Sequence, residues 1–369
     1  MSRTRILTIL SVLLVGVALV AWVAPDTSIT RGMRVGAPDV KSLGAMTFGP
    51  ENILFIGDSE GGSIHAIQIE AAGRAGGAID VAGIDGKIAQ VLGTTADQIL
   101  ISDMAVHPVS RNVYLTVTRG RGADAQPVLL RVTRDASRPI EEVSLQNVKF
   151  STAAIPNAPA SNPSARRNPR TFTVTDVAFA DGQLYVAGLS NEEFSSAFRR
   201  MPFPFGATMS TTTLEIYHVS HGRNETNAPV MTFLPQRVNG SMVILAAYTC
   251  TPLVAFEVES LKDGQHVFGR TVAELGAGNQ PLDMISYTRG GKEHILIANS
   301  RHPLMRVSPT DIAGAQALKS PTKEEGIPRV PLAQPGIQQL ADLDAEHVVV
   351  IQAGANGGRD LKSVAKSTL

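Results

Sequence analysis

Past residue 24 the apolar residues of the chain arrive in short runs broken by Gly, Pro, Asn and Asp, and no run keeps a helical period. β-Branched and aromatic residues dominate these runs, which predicts many short strands. One unit recurs. An apolar strand with an acid near its head leads through a polar turn into a second strand of aliphatic or aromatic, β-branched and small residues. First strands are "GAMTFGP" (44–50), "SDMAVHP" (102–108), "TDVAFAD" (175–181), "LDMISYT" (282–288) and "LADLDAE" (340–346). Second strands are "NILFIGD" (52–58), "NVYLTVT" (112–118), "QLYVAGL" (183–189), "MVILAAY" (242–248), "HILIANS" (294–300) and "HVVVIQA" (347–353). Third strands follow, among them "SIHAIQI", "VLLRVTR" and "LEIYHVS", and weaker fourth strands such as "GAIDVAG" and "PVMTFLP".

Four antiparallel strands repeated at irregular intervals are the pattern of an all-β fold, the β-propeller, in which radial stacking buries both faces of each sheet and leaves only short edges. Units beginning near 44, 102, 175, 240, 282 and 340 make six blades. Seven is the alternative count, because the stretch from 102 to 175 is long, and a pair of β-sandwiches is the competing fold. The last unit lacks clear outer strands; "DLKSVAK" (360–366) supplies a third, and "RGMRVGA" (31–37) is placed to close the ring as its fourth.

The N-terminus adds a compartment. Arg3 and Arg5 precede an uncharged apolar stretch, residues 6–24. That is an export signal, or a membrane anchor if it is not cleaved, since Trp22 and Pro25 make a poor cleavage flank. The expected organisation is a signal peptide or anchor helix at 1–24, a linker and ring-closing segment at 25–43, and the propeller at 44–369. Arginines on the near side send the bulk outward, to the periplasm or the exterior, with the inner membrane touched only through that segment.

Composition narrows the chemistry. Charge is balanced, 33 Lys+Arg against 33 Asp+Glu, so nucleic acid is not an expected partner. Cys250 is the single cysteine, which excludes an internal disulfide and cysteine-based metal clusters, and Trp22 is the single tryptophan. No nucleophile elbow, zincin, phosphate-loop or dinucleotide motif is present.

"DMAVHPVSRNVYLTV", "DVAFADGQLYVAG" and "DMISYTRGGKEHILIANS" resemble the repeat of the bacterial YVTN/NHL-like, SMP-30-like propeller superfamily, over roughly residues 44–356. The resemblance implies a ring with a central channel. In SMP-30-like members, metal-bound lactonase sites draw on a Glu, an Asn and an Asp lining that channel; here Asn191, Asn299 and the aspartates stand nearest, and the channel glutamate is missing.

Asp103, Asp176 and Asp283 hold one place in their units, immediately before Met104, Val177 and Met284. Two readings follow. Each accepts backbone N–H groups at a turn or between neighbouring blades. Alternatively, they converge as an acidic ring for a hard cation, Ca²⁺ or Mg²⁺, with no cofactor otherwise indicated. Asp58, Asn299 and Gln352 end second strands and are further channel candidates. His107 and His302 precede prolines and read as solvated turn histidines; His218 and His221 have a spacing that does not share one strand face.

Three stretches break the pattern: 151–170, 190–213 and 314–336. The second holds four of the twelve phenylalanines, with Phe194, Phe198 and Phe203 flanking Arg199 and Arg200. It is expected to be a lid over the channel, or a plug on exposed apolar surface. The function expected from all this is a ligand- or protein-binding module outside the inner membrane; a channel-metal hydrolase of lactonase type is the alternative.

Overall fold

The computed structural model describes residues 28–369 apart from 74–75, 207–208, 251, 277, 322–324 and 355–356. The expected signal or anchor, 1–24, lies outside the described residues, and no described helix is long and apolar enough to cross a membrane.

Alternation of β-branched and small residues yields six sheets, each led by a strand that faces the centre: Met46–Phe48, Ile99–Val106, Asp176–Ala180, Val230–Val238, Pro281–Arg289 and Ile337–Asp342. We number the blades 1 to 6 in that order. The second strands are the most deeply packed, and Ile53–Asp58 is buried along its whole length. Six apolar clusters fill the gaps between blades, one per interface. The all-β, six-bladed propeller is therefore the architecture, and seven blades and paired sandwiches are excluded.

The ring does not follow chain order. Inner strands pack side by side in the sequence 2–1–3–4–5–6, and blade 6 closes on blade 2. The chain lays down three strands of blade 1, leaves to build blade 2, and returns with Val148–Ala154 as the fourth strand of blade 1. Arg34–Gly36 then adds a fifth strand outside it. Two expectations are corrected here. The 31–37 segment completes blade 1 rather than the last blade. The "GAIDVAG" stretch does not edge blade 1 but bridges Val81 to Leu361 of blade 6, beneath the helix Ile84–Val91.

Two strands were expected elsewhere. "PVMTFLP" belongs to Val230–Val238, the inner strand of blade 4, so that blade begins ten residues before the expected start near 240. "LEIYHVS" lies in the fourth strand of blade 3, Ser210–His218, because the third is Ser196–Pro202. Both stretches at 151–170 and 314–336 carry fold elements, the end of Val148–Ala154 and the edge strand Val330–Pro331.

Candidate functional site

The inner strands surround a central cavity of about 370 Å³. Asp103, Asp176 and Asp283 enter it from blades 2, 3 and 5. In blades 2 and 5 an extra residue interrupts the register just before the aspartate, the kind of bulge that re-aims a side chain. Each carboxylate then makes the same two bonds. Its Oδ1 accepts the backbone N–H of the following residue, at 2.7 Å in all three cases. Its Oδ2 accepts a backbone N–H from the next blade: Met46 at 2.6 Å, Phe233 at 2.7 Å and Leu340 at 2.6 Å.

Donor and acceptor blades alternate around the ring, 2 to 1, 3 to 4 and 5 to 6. At the corresponding place the receiving blades carry Ala45, Thr232 and Gln339. Gln339 makes a different link, donating its amide to the Ser102 carbonyl at 2.8 Å across the 6–2 interface. The reading of the aspartates as inter-blade acceptors holds in each of the three units.

These carboxylates are half-buried in a narrow channel, and their surroundings penalise charge. Burial pushes Asp176 up to about 6. Burial first and the Asp176 charge second push Asp283 up to about 7, against the hydrogen bonds that favour ionisation. Asp103 is raised well above the usual carboxylate range by burial and then by Asp283 and Asp176. The three therefore feel one another across the channel without touching. Among the described residues, only His218, His221 and Glu225 gather three His, Cys, Asp or Glu ligand atoms closely enough to hold one ion. Asp103, Asp176 and Asp283 are not such a group, and since Ca²⁺ binds its oxygen ligands at about 2.3–2.6 Å, an ion shared by all three would be held through water. Around them the wall mixes apolar side chains with exposed polar groups, and Arg111 and Asp342 are its other charges. Asp342 is paired to the buried Lys366 at 2.6 Å.

The remaining candidates sit elsewhere. Asp58 is fully buried at a strand end and accepts from the backbone N–H groups of Lys41, Ser42 and Gly61 at 2.7, 2.8 and 2.7 Å. Burial would raise its pKa, but hydrogen bonds from His65, Lys41, Gly61 and Ser42 hold it below the ordinary value. Asn299 is buried too, accepting from Asn279 at 2.9 Å and donating to the Ile297 carbonyl at 3.0 Å. Neither lines the channel cavity; both tie loops to the ends of second strands.

The lid is a strand. Ser196–Pro202 pairs with Gln183–Leu189 residue for residue, placing Arg200 opposite Tyr185 inside blade 3. Phe198 is buried between blades 3 and 4, and Phe203 between blades 1 and 3. Phe194 alone stays exposed, its ring 4.3 Å from that of His266. Arg199 is completely buried and donates to two carbonyls, Leu189 at 2.8 Å and Thr173 at 3.3 Å. Burial lowers its pKa to about 10. The paired phenylalanines do find apolar cover, as their chemistry demands, but between blades rather than over the channel.

His107 is buried rather than solvated, its Nδ1 accepting the N–H groups of Val109 and Ser110 at 3.1 Å each. His218 and His221, judged apart by strand periodicity, are brought together by a turn. Their ring centroids are 3.7 Å apart.

No protein-family model matches the chain, and no curated protein does. Solved structures give distant likenesses. A putative oxidoreductase (glucose dehydrogenase) of Thermus thermophilus is 13% identical over 90% of this chain and 100% of its own, with a TM-score of 0.34. The PQQ-bound aldose sugar dehydrogenase of Streptomyces coelicolor is 13% identical over 89% and 96%, with a TM-score of 0.35. A luciferin-regenerating enzyme is 11% identical over 91% and 96%, with a TM-score of 0.34. Likeness at this level decides nothing about activity. On its own strand pairing the chain is a six-bladed β-propeller.

Proposed function

We propose that the protein is an exported propeller that binds a cationic ligand in its central channel, outside the inner membrane. The observation that carries this reading is the convergence of Asp103, Asp176 and Asp283 on one cavity, where each is raised above the ordinary carboxylate range. Carboxylates that repel one another are stabilised by any cation placed between them. Each retains lone pairs beyond its two backbone bonds. Because the triad stays too open for direct coordination, the cation is an organic ammonium or a hydrated Ca²⁺ or Mg²⁺. Met46, Phe48 and Phe233 beside the acids offer contacts for the carbon skeleton of an amine. Export rests on Arg3, Arg5 and the apolar stretch 6–24.

The hydrolase alternative requires carboxylates that meet on one metal and leave it an open position for water or a substrate oxygen. Here the three acids do not gather their oxygens closely enough to share one directly bound ion. That favours binding over catalysis. Metal analysis of the purified protein, followed by Asp283→Ala, tests the choice. Binding predicts metal that is absent or readily exchanged, and cation affinity that falls in the variant. A tightly held ion lost on Asp283→Ala, together with lactone hydrolysis, would overturn it.

A further inference from the structure

The hairpin at the outer edge of blade 3 carries chemistry that neither the channel nor the fold uses. Ser210–His218 ends in a single 3-10 turn, Val219–His221, after which Gly222 reverses the chain in the left-handed region (φ 65°) and Arg223–Glu225 runs back alongside. A side chain at 222 would be strained by that φ, and its Cβ would approach Pro321 to 3.1 Å. The tight reversal puts positions 218, 221 and 225 on one side of the hairpin.

There, one carboxylate is shared by two imidazoles. His218 Nδ1 lies 2.6 Å from Glu225 Oε2, and His221 Nδ1 lies 2.8 Å from Glu225 Oε1. The two rings lie with centroids 3.7 Å apart, and both Nδ1 atoms face the same carboxylate. His218 is buried, Glu225 half-buried and His221 exposed, which leaves the cluster open to water on one side only.

We propose that His218, His221 and Glu225 form a divalent transition-metal site with one coordination position open to solvent. Two imidazole nitrogens and a carboxylate oxygen select Zn²⁺, Cu²⁺ or Ni²⁺ over Ca²⁺ and Mg²⁺. The three ligand atoms already lie within 4.8 Å of one another. In a tetrahedron with metal–ligand bonds of about 2.0–2.2 Å the ligand atoms sit about 3.3–3.6 Å apart, so each imidazole nitrogen, now 2.6 or 2.8 Å from the carboxylate, moves away by about 0.5–1 Å. Binding displaces the protons that now lie between each Nδ1 and the carboxylate. On His218 the proton shifts to Nε2, which is buried and has no hydrogen-bond partner. That unsatisfied N–H weakens the site without abolishing it, since a metal–ligand bond exceeds one hydrogen bond. Arg223 is the rival cation: its Nε donates to Glu225 Oε1 at 3.0 Å from a side chain that is 70% exposed and free to swing away.

The rivalry gives a test whose directions a merely structural cluster would not reproduce. The full chain is titrated with Zn²⁺ by calorimetry and with Cu²⁺ by electron paramagnetic resonance. We expect one site, with two nitrogen couplings on Cu²⁺. His221→Ala, an exposed position that folding tolerates, and Glu225→Gln should each weaken binding at least about tenfold, as loss of one ligand does, while Arg223→Ala tightens it. Metal bound equally well by His221→Ala, or an Arg223→Ala variant no tighter than the parent, would overturn the site. So would titrations that show no saturable binding.

Discussion

Asp103 Oδ2 accepts the backbone N–H of Met46 at 2.6 Å, across a separation of 57 residues that runs backward along the chain. The same separation runs forward from Asp176 to Phe233 and from Asp283 to Leu340. The reversed sign records the exchange of blades 1 and 2 in the ring. Because Val148–Ala154 completes blade 1 only after blade 2 is built, the two blades interlock, and each aspartate joins one blade to a neighbour through charge-assisted bonds.

Removing one link should therefore loosen an interface. Asp176→Ala strands the N–H groups of Phe233 and Val177, and at neutral pH it is expected to cost about 1–3 kcal/mol. Urea unfolding with an unchanged slope and a lower midpoint would register this; an unaltered midpoint would show that channel water replaces the carboxylate.

The raised acids set a pH dependence. A carboxylate whose folded pKa exceeds its unfolded value contributes stability that is full below the unfolded pKa, 3.8, and is lost as pH rises through the folded one. With Asp176 at about 6 and Asp283 at about 7, thermal stability should fall between roughly pH 4 and pH 7 and level off above that, the coupled acids titrating together. Glu225 has the opposite sign. Burial would raise it, but hydrogen bonds from His218, His221 and Arg223 hold it at about 2, so its contribution is lost as pH falls below 4.5 toward that value. Melting temperatures across pH 3–8 should show a maximum at mildly acidic pH, and Asp283→Asn should flatten the alkaline limb. A stability that climbs steadily to pH 8 would contradict the triad's assignment.

Arg199 separates a strand from a lid. Truncating it to Ala leaves a cavity and two carbonyls, Leu189 and Thr173, without their donor. A loss of about 3–5 kcal/mol is expected, with cation affinity in the surviving folded fraction unchanged. Circular dichroism melting alongside ligand titration distinguishes the cases; a stable protein with altered affinity would restore the lid.

Backbone proximity predicts a further sensitive position. A Cβ at Gly188 would lie 2.1 Å from the Thr173 carbonyl oxygen, with both partners inside packed backbone. Gly188→Ala should destabilise by more than the usual surface range of about 0.5 kcal/mol, and a neutral effect on the melting temperature would show that blade 3 can shift.

The strands legible in the sequence were those whose neighbours in the chain are also their neighbours in space. Second strands such as "QLYVAGL" are apolar, buried on both faces and adjacent to their partners, so local pattern suffices. Val148–Ala154 pairs with Ser63–Gln68 across an entire intervening blade, and nothing local in "VKFSTAA" encodes that return. Ser196–Pro202 is hidden by its own arginines: a buried guanidinium held by two carbonyls, with its Nε left unpartnered, reads as a polar break. The triad was visible through its repeated place, and its inter-blade bonding was one of the two readings. The His218–Glu225 cluster was missed because strand periodicity does not describe a left-handed reversal at Gly222.

We propose that Asp103, Asp176 and Asp283 bind a cation together. Calorimetric titration with Ca²⁺ and with the diamine putrescine, at pH 8 and pH 5, tests it most directly in the parent chain and in the triple Asp→Asn variant. At pH 8 Asp176 and Asp283 are largely ionised and binding should be at least about tenfold tighter, ~1.4 kcal/mol, than at pH 5, where they are largely protonated. The triple variant should bind neither probe at either pH. Equal affinity at both pH values, or a triple variant that binds like its parent, would contradict the account.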